Sequence, residues 1–384
     1  MKNNKHAIHI MVMAFGFVLS GAVFGKCTTA DKTFGQLSSC ADHDALGAIS
    51  AVFSAMEYYG YGDPLTALKR AANNGDAHSQ YWLAVYFVSQ HDYSKAAKWY
   101  MTAADQGLLP AEHDIGTLYM RGMGVSQDDA KGMVWYRRAA ESGYAQAEFD
   151  LAGCYLAGRG VPKNYGEAYS WLYKAAKQGF APAQSSLGVS YDQGRGVPQS
   201  YAQAAMWVQK AAQQGYVGGE YNLAKLFYSG HGVARDDVKA AVWMRAAAEQ
   251  GLAKAENDLG AAYESGRGLP KDYAAAATWY RKSADQGLAQ AEYRLAHLYY
   301  FGRGVQQSYV LAEGWLQKAA DQGDSASLYA LGELYYKGQG VAKNTSTAIY
   351  WWQKAAAAGG RYGIMAQQSI DTVEPQMEKE SLPN

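Results

Sequence analysis

The chain has 384 residues, with 35 basic and 35 acidic side chains. This length is enough for two or three ordinary domains. The balanced charge argues against bulk attraction to nucleic acid or anionic membranes, which normally requires a strong basic excess. With 31 tyrosines, 10 tryptophans and only 8 prolines, the composition is that of a folded chain and excludes a disordered one.

The first 25 residues have the pattern of a secretory signal peptide. Lys2 and Lys5 form a basic start, and an apolar run over residues 7–24 follows. Cleavage after Ala22 or Gly25 fits this pattern. A retained membrane anchor is the alternative, but the run is short for a spanning helix. We therefore expect an exported protein, located in the periplasm or secreted.

Two segments precede the regular part of the chain. Residues 26–41 form a short polar lead that contains Cys27 and Cys40, and an oxidising compartment would allow these two cysteines to form a disulfide. Residues 42–76 carry a degenerate helical pair without tryptophan. We expect this pair to cap an array of repeats, because terminal repeats are atypical.

The rest of the chain repeats. Residues 77–110 form a shorter unit, and residues 111–362 form seven full units of 36 residues. In each full unit a first helical pattern is followed by a Gly-x-Gly loop and a second helical pattern. A tryptophan recurs at one place in the second pattern: Trp99, Trp135, Trp171, Trp207, Trp243, Trp279, Trp315 and Trp351. A fixed period of this length is typical of a helical solenoid. Residues 363–384 are predicted to form a capping helix over 363–373 and a polar tail.

The repeated residues carry a family resemblance. The pattern Ala-x3-Leu-Gly-x2-Tyr-x2-Gly-x-Gly-Val, then Ala-x2-Trp-x3-Ala-Ala-x2-Gly, resembles the Sel1-like repeat, a relative of the tetratricopeptide repeat with a longer inter-helix loop. The match covers residues 77–362, and the 77–110 unit departs towards a tetratricopeptide-like form. The resemblance implies an all-α, right-handed solenoid of Sel1-like and tetratricopeptide-like helix pairs. It also implies a role in binding a protein or peptide.

Several recurring residues have both a functional and a structural interpretation. Loops such as Gly266-Arg-Gly268 are predicted to be turns with positive φ rather than phosphate-binding loops, because they follow helices and recur. The tryptophans are predicted to be core residues, and the basic residue three positions after most of them to lie on a solvated outer face. A column of glutamates opens the first helices, where negative charge is stabilising: Glu112, Glu148, Glu220, Glu256 and Glu292.

No catalytic constellation is evident in the sequence. HExxH, clustered Cys and His, Gly-x-Ser-x-Gly and Ser-x-x-Lys patterns are all missing. Cys154 stands where other units place Leu and is predicted to be an inert buried thiol. We predict a protein that is not an enzyme and has no metal and no cofactor. The enzymatic alternative, a hydrolase acting on cell-wall or β-lactam substrates, requires one asymmetric polar cluster.

The most variable positions give the candidate binding site. By analogy with tetratricopeptide arrays, the first helices line the concave face, with their non-core positions about 6, 10, 13 and 14 residues after the closing glycine. In the C-terminal half these positions are rich in aromatic residues, which suit protein recognition. The alternative is that they pack between adjacent repeats. We call the following eight residues the aromatic strip: Tyr221, Tyr228, Tyr293, His297, Tyr300, Phe301, Tyr329 and Tyr336.

These observations favour an exported scaffold that binds a protein or peptide. Two narrower functions remain open: a periplasmic immunity protein that neutralises a lipase-type toxin, and a virulence factor that contacts host proteins. We expect no nucleic-acid partner, and no stable membrane insertion after the signal peptide is removed.

Overall fold

The computed structural model describes residues 64–380 of the chain, with side chains over 65–375. The predicted signal peptide, the polar lead with Cys27 and Cys40, and residues 42–63 of the predicted cap lie outside the described residues. Eighteen α-helices and no strands are present between residues 64 and 380. They are α1 (Pro64–Asn73), α2 (Ala77–Ser89), α3 (Tyr93–Asp105), α4 (Leu109–Arg121), α5 (Asp129–Glu141), α6 (Ala145–Ala157), α7 (Tyr165–Lys177), α8 (Ala181–Gln193), α9 (Tyr201–Gln213), α10 (Val217–Ser229), α11 (Asp237–Glu249), α12 (Ala253–Ser265), α13 (Tyr273–Asp285), α14 (Ala289–Phe301), α15 (Tyr309–Asp321), α16 (Ser325–Lys337), α17 (Thr345–Ala358) and α18 (Gly360–Glu380).

The described helices belong to two compact units. The first unit contains α1 to α7, α8 up to Ser190, and residues 194–198. The second contains residues 191–193 and the helices α9 to α18. Within each unit, consecutive helices pack against one another, so that a hairpin of a first and a second helix stacks on the next hairpin. This arrangement confirms the predicted all-α solenoid of helix pairs.

Caps and turns define the repeat boundaries. In α13, the side chain of Asp272 accepts hydrogen bonds from the backbone N–H groups of Ala274 and Ala275 and so caps the helix. The first helices of the seven full repeats end at a left-handed glycine, such as Gly266 with φ 76°. At Gly268 a Cβ would lie 1.9 Å from the carbonyl oxygen of Asp237, so only glycine fits there. The Gly-x-Gly loops are therefore turns, as predicted.

In several repeats, a glycine on the first helix packs directly against a large aromatic ring on the second helix; we call this a size-matched pair. A Cβ on Gly260 would lie 2.7 Å from the ring of Tyr280, which is fully buried on the facing second helix. The sequence predicts this close approach but not its partner, which is the residue after the tryptophan. The same relation holds for Gly116 with Tyr136 at 2.8 Å and Gly332 with Trp352 at 2.3 Å.

The eight recurring tryptophans lie towards the edge of the core. Four of the eight are buried as predicted, at 7–9% exposure, and the other four are half-buried. The centre is filled by the following residue, such as Leu172 after Trp171. The basic residues are exposed, as predicted, but they also cover the tryptophans. Lys174 Nζ lies 3.7 Å from the ring centroid of Trp171, and Lys282 Nζ lies 4.0 Å from that of Trp279.

The glutamate column is buried between the two helices of its repeat. Glu256 is 4% exposed and accepts a hydrogen bond from Gln286 Nε2 at 2.7 Å. Burial raises the pKa of Glu256, although the nearby Lys282 opposes the shift. At the same repeat position, Gln184 instead donates to the carbonyl oxygen of Ala176 at 3.1 Å. These glutamates lie in the first turns of their helices, as predicted, and they also link the two helices of a repeat.

The C-terminal helix α18 is longer than predicted. It begins at Gly360 and continues through Pro375 to Glu380, whereas the sequence predicts a helix over 363–373 followed by a tail. Ala366, Ile370 and Val373 are buried at helical spacing and join the core of the second unit. The helix packs against α16 and α17. In the second unit, α18 thus takes the place of one more first helix.

Candidate functional site

The first helices of the second unit present their non-core side chains on one face. Phe301 stands at the last residue of α14, and Tyr329 lies in the second turn of α16. Tyr362 lies in the first turn of α18, which follows a second helix and packs on α16. Because the repeats place equivalent positions side by side, these residues fall on a shared surface, which we call the first-helix face.

An open pocket of about 180 Å³ lies on this face. Phe301 at its edge is 49% exposed, whereas the four tyrosines that line it are half-buried. The lining is largely aromatic and aliphatic, with three polar side chains. It consists of Tyr293, Ala296, His297, Tyr300, Phe301, Leu316, Ala326, Tyr329, Ala330, Glu333, Lys337 and Tyr362. We call it the aromatic pocket.

Contacts between different elements fix the walls of the aromatic pocket. The hydroxyl of Tyr293 lies 3.5 Å from the hydroxyl of Tyr362, which joins α14 to α18. The hydroxyl of Tyr300 donates to Gln339 Oε1 at 2.6 Å, in the loop after α16. The ring centroids of Tyr329 and Tyr362 are 6.1 Å apart. Since each of the four tyrosine rings is held from a second element, most of the pocket wall is preformed, as ligand sites usually are.

The charges in the aromatic pocket balance. Lys337 Nζ and Glu333 Oε2 form an ion pair at 2.6 Å, and this contact raises the pKa of Lys337. Burial lowers the pKa of His297, with Arg303 adding to the shift and Glu264 opposing it. His297 is therefore neutral at pH 7. The pocket presents an aromatic surface whose lining carries no net charge.

The predicted aromatic strip divides into two groups. Five of its eight members line the aromatic pocket: Tyr293, His297, Tyr300, Phe301 and Tyr329. The other three pack within and between repeats. Tyr221 donates to Asp258 Oδ2 at 3.0 Å, Arg267 Cζ lies 4.1 Å from the ring centroid of Tyr228, and the rings of Tyr336 and Trp352 are 5.5 Å apart. Each of the two sequence interpretations thus describes part of the strip, and binding stays a prediction.

Among the polar and aromatic lining residues, three are not members of the aromatic strip: Glu333, Lys337 and Tyr362. Tyr362 precedes the predicted capping helix, which starts at residue 363. Glu333 and Lys337 occupy the same repeat positions as His297 and Phe301, but they are not aromatic. The repeat position itself is the signal that would have found both of them.

A buried polar cluster lies on the first helices of the first unit. His113 is 5% exposed, with Nδ1 2.8 Å from Asp114 Oδ1 and Nε2 2.7 Å from Asp150 Oδ2. Burial alone would lower the pKa of His113, but the hydrogen bonds to both carboxylates outweigh it and raise the pKa to about 9. At neutral pH both ring nitrogens donate to carboxylates, so His113 has no lone pair to act as a base. The cluster links α4 to α6.

Other chemically suggestive groups are accounted for by packing. Cys154 is buried, as predicted, and burial raises the pKa of its thiol to about 11, which disfavours the reactive thiolate. In the part of the chain that the structure describes, no group of three or more His, Cys, Asp or Glu side chains is placed to hold a metal ion. No helix within this same part is both long enough and apolar enough to cross a membrane.

Stacked helix hairpins with an open pocket on the first-helix face define a tandem-repeat protein, a fold class typical of protein-interaction scaffolds. The family model of the Sel1 repeat matches eight consecutive segments: residues 77–108, 109–144, 145–180, 181–216, 218–252, 253–288, 289–324 and 325–360. The chain belongs to the Sel1 repeat family. Proteins of this family are generally non-enzymatic scaffolds.

Solved structures support the same assignment. A protective antigen present in uropathogenic Escherichia coli strains, with an SLR fold, is 36% identical at a TM-score of 0.67, over 81% of this chain and 67% of that chain. A Sel1 repeat protein from Oxalobacter formigenes is 30% identical at a TM-score of 0.59, over 84% and 93%. An immunity protein from Pseudomonas aeruginosa is 21% identical at a TM-score of 0.38, over 56% and 81%, which carries no functional inference. A search of curated proteins finds no match.

Proposed function

We propose that this protein is an exported, non-enzymatic scaffold that binds a protein or peptide through the aromatic pocket. The observation that carries the proposal is the pocket of about 180 Å³ at the protein surface, lined by four tyrosine rings, one phenylalanine ring and one imidazole. Aromatic side chains offer a large, rigid contact area and dominate the binding energy of many protein interfaces. The preformed walls lower the entropy cost of binding, because little must be ordered when a partner arrives.

Export and the kind of partner rest on separate observations. Export is inferred from the basic and apolar pattern over residues 1–25. The E. coli protein that is 36% identical is described as a protective antigen, and this favours contact with host proteins as the second candidate function. The immunity function has no comparable support, since the similarity to the immunity protein is too low to carry it.

Affinity capture tests the proposal. The purified protein would be used as bait against an envelope fraction and, separately, against host-cell surface proteins. Wild type would be compared with a Phe301→Ala, Tyr329→Ala variant, and circular dichroism would confirm folding. A matched control is Val238→Ala, Val242→Ala, since both valines are exposed on the second helix α11.

The expected result is a partner that wild type and the α11 control retain and the pocket variant loses. A partner retained equally by all three proteins would show that the aromatic pocket is not the binding site. Capture of no partner from either source would contradict the proposed scaffold function.

A further inference from the structure

We propose that the aromatic pocket binds one aromatic side chain of a peptide segment, and that Arg303 pairs with an acidic side chain beside it. This inference rests on the proposed function and specifies the chemistry of the partner. The volume of about 180 Å³ sets the size of the group that enters. A cavity of about 150 Å³ holds one benzene ring, whereas small-molecule sites ordinarily measure about 300–1,000 Å³. The pocket therefore fits a single ring rather than a whole small molecule.

The lining favours an uncharged ring over a cation. A set of aromatic rings can bind a cation by cation–π contact, but Lys337 already places an ammonium group in the pocket wall. Glu333, the one carboxylate of the lining, is paired with Lys337 at 2.6 Å. A bound cation would therefore be repelled by Lys337 and would find no unpaired carboxylate in the lining to offset that repulsion. An aromatic ring can instead meet the tyrosine rings edge-to-face at no electrostatic cost.

Arg303 supplies an uncompensated positive charge next to the pocket. Its guanidinium carbon lies 5.0 Å from the ring centroid of Phe301 and 5.8 Å from that of Tyr273. Among the side chains over residues 65–375, it forms no ion pair within 4 Å. At the same repeat position, two arginines are paired with aspartates, Arg159 with Asp129 at 2.9 Å and Arg267 with Asp237 at 3.1 Å.

The difference arises at the first residue of the preceding second helix. Where α5 and α11 begin with Asp129 and Asp237, α13 begins with Tyr273. Arg303 therefore has no aspartate partner, and its guanidinium lies at the surface against the ring of Phe301 at the edge of the pocket. Because consecutive Cα atoms are about 3.8 Å apart, an acidic residue one or two positions from the anchored ring can reach it. The partner segment therefore combines an aromatic residue with Asp or Glu within two positions.

Fluorescence anisotropy with labelled probe peptides tests this inference on the purified full chain. The probe is a short Gly/Ser peptide with one Trp flanked by Asp on each side. Two matched peptides replace Trp by Ala, or both Asp by Lys. The protein variants are Arg303→Glu, Ala330→Leu to fill the pocket, and Arg195→Glu as control. Arg195 holds the same repeat position in the first unit and also forms no ion pair with a described side chain.

Removing the Trp should weaken binding about 30-fold, the loss typical of an interface anchor. Arg303→Glu should weaken binding of the Asp-flanked probe about fivefold and favour the Lys-flanked one. Ala330→Leu should abolish binding, and Arg195→Glu should change neither affinity. Binding that is insensitive to Arg303→Glu, or equal affinities for the Trp and Ala peptides, would overturn the inference.

Failure of the inference and failure of the proposed function are separable. If a native partner is lost on Phe301→Ala, Tyr329→Ala but no probe peptide binds, the aromatic–acidic chemistry is wrong and the scaffold function stands. If the native partner is retained by that variant and no probe binds, both are wrong. Circular dichroism would show whether the Ala330→Leu variant is folded. Arg303→Glu changes an exposed residue, so its effect on probe binding tests the inference independently of Ala330→Leu.

Discussion

Replacing Gly260 by alanine tests the size-matched core directly. The new Cβ would lie 2.7 Å from Tyr280 Cδ1 and 2.8 Å from Cε1. The ring has little room to move, because it is fully buried and its hydroxyl donates to Glu264 Oε2 at 2.7 Å. Overpacking of this kind costs about 1–3 kcal/mol, while the better helix propensity of alanine offsets about 1 kcal/mol. We expect the free energy of unfolding to fall by up to about 2 kcal/mol.

Gly314→Ala is the matched control. Gly314 also lies inside a helix of the second unit, and nothing lies within 4 Å of an added Cβ. This change should raise stability by about 1 kcal/mol. Adding Tyr280→Met to Gly260→Ala reproduces the Ala224 and Met244 pair of another repeat and should recover most of the loss. Urea unfolding followed by circular dichroism gives all four stabilities. Equal stability of Gly260→Ala and Gly314→Ala would refute the reasoning.

Three further predictions concern buried polar groups. His113→Gln should lower the free energy of unfolding by about 3 kcal/mol at pH 6. The pKa of His113 is about 9 in the folded state and about 6.5 in the unfolded state, so the stabilisation by His113 is complete below pH 6.5 and is lost as pH rises through 9. Urea unfolding should therefore give the wild type and the variant the same stability at pH 10. Glu256→Gln should leave the free energy of unfolding at pH 7 unchanged or raise it by about 1 kcal/mol. The reasons are that burial raises the pKa of Glu256 and that Gln184 occupies the equivalent position in another repeat. A fall of more than about 2 kcal/mol in urea unfolding would contradict this. Cys154, with a thiol pKa of about 11, should react with a thiol reagent at pH 8 only on unfolding, and rapid labelling of the native protein would contradict its burial.

Much of the fold could be predicted because the same sequence pattern recurs in successive repeats. The turns at Gly266 and Gly268 follow from residue type alone, since glycine tolerates positive φ. The partner of Gly260 could not be predicted, because it depends on how two helices face each other. Trp279 was expected in the core but is half-buried beneath Lys282, since a regular position in sequence does not reveal depth.

The candidate site could be predicted only in part, because neighbouring repeats decide which aromatic residues are covered. Tyr228 and Tyr300 hold the same repeat position. Arg267 of the following loop lies over Tyr228, whereas Tyr300 meets Gln339 and keeps a place in the pocket wall. This outcome depends on contacts between residues 39 positions apart, which no local pattern contains.

Site-specific photo-crosslinking tests the central claim most directly. A photoreactive phenylalanine analogue would replace Phe301 on the first-helix face or, as control, Val238 on the outer helix α11; both positions are exposed. Crosslinked products would be identified by mass spectrometry after irradiation of living cells, alone and in contact with host cells. Binding through the aromatic pocket predicts one protein crosslinked from position 301 and absent from position 238. The same protein crosslinked equally from both positions, or from 238 alone, would contradict it.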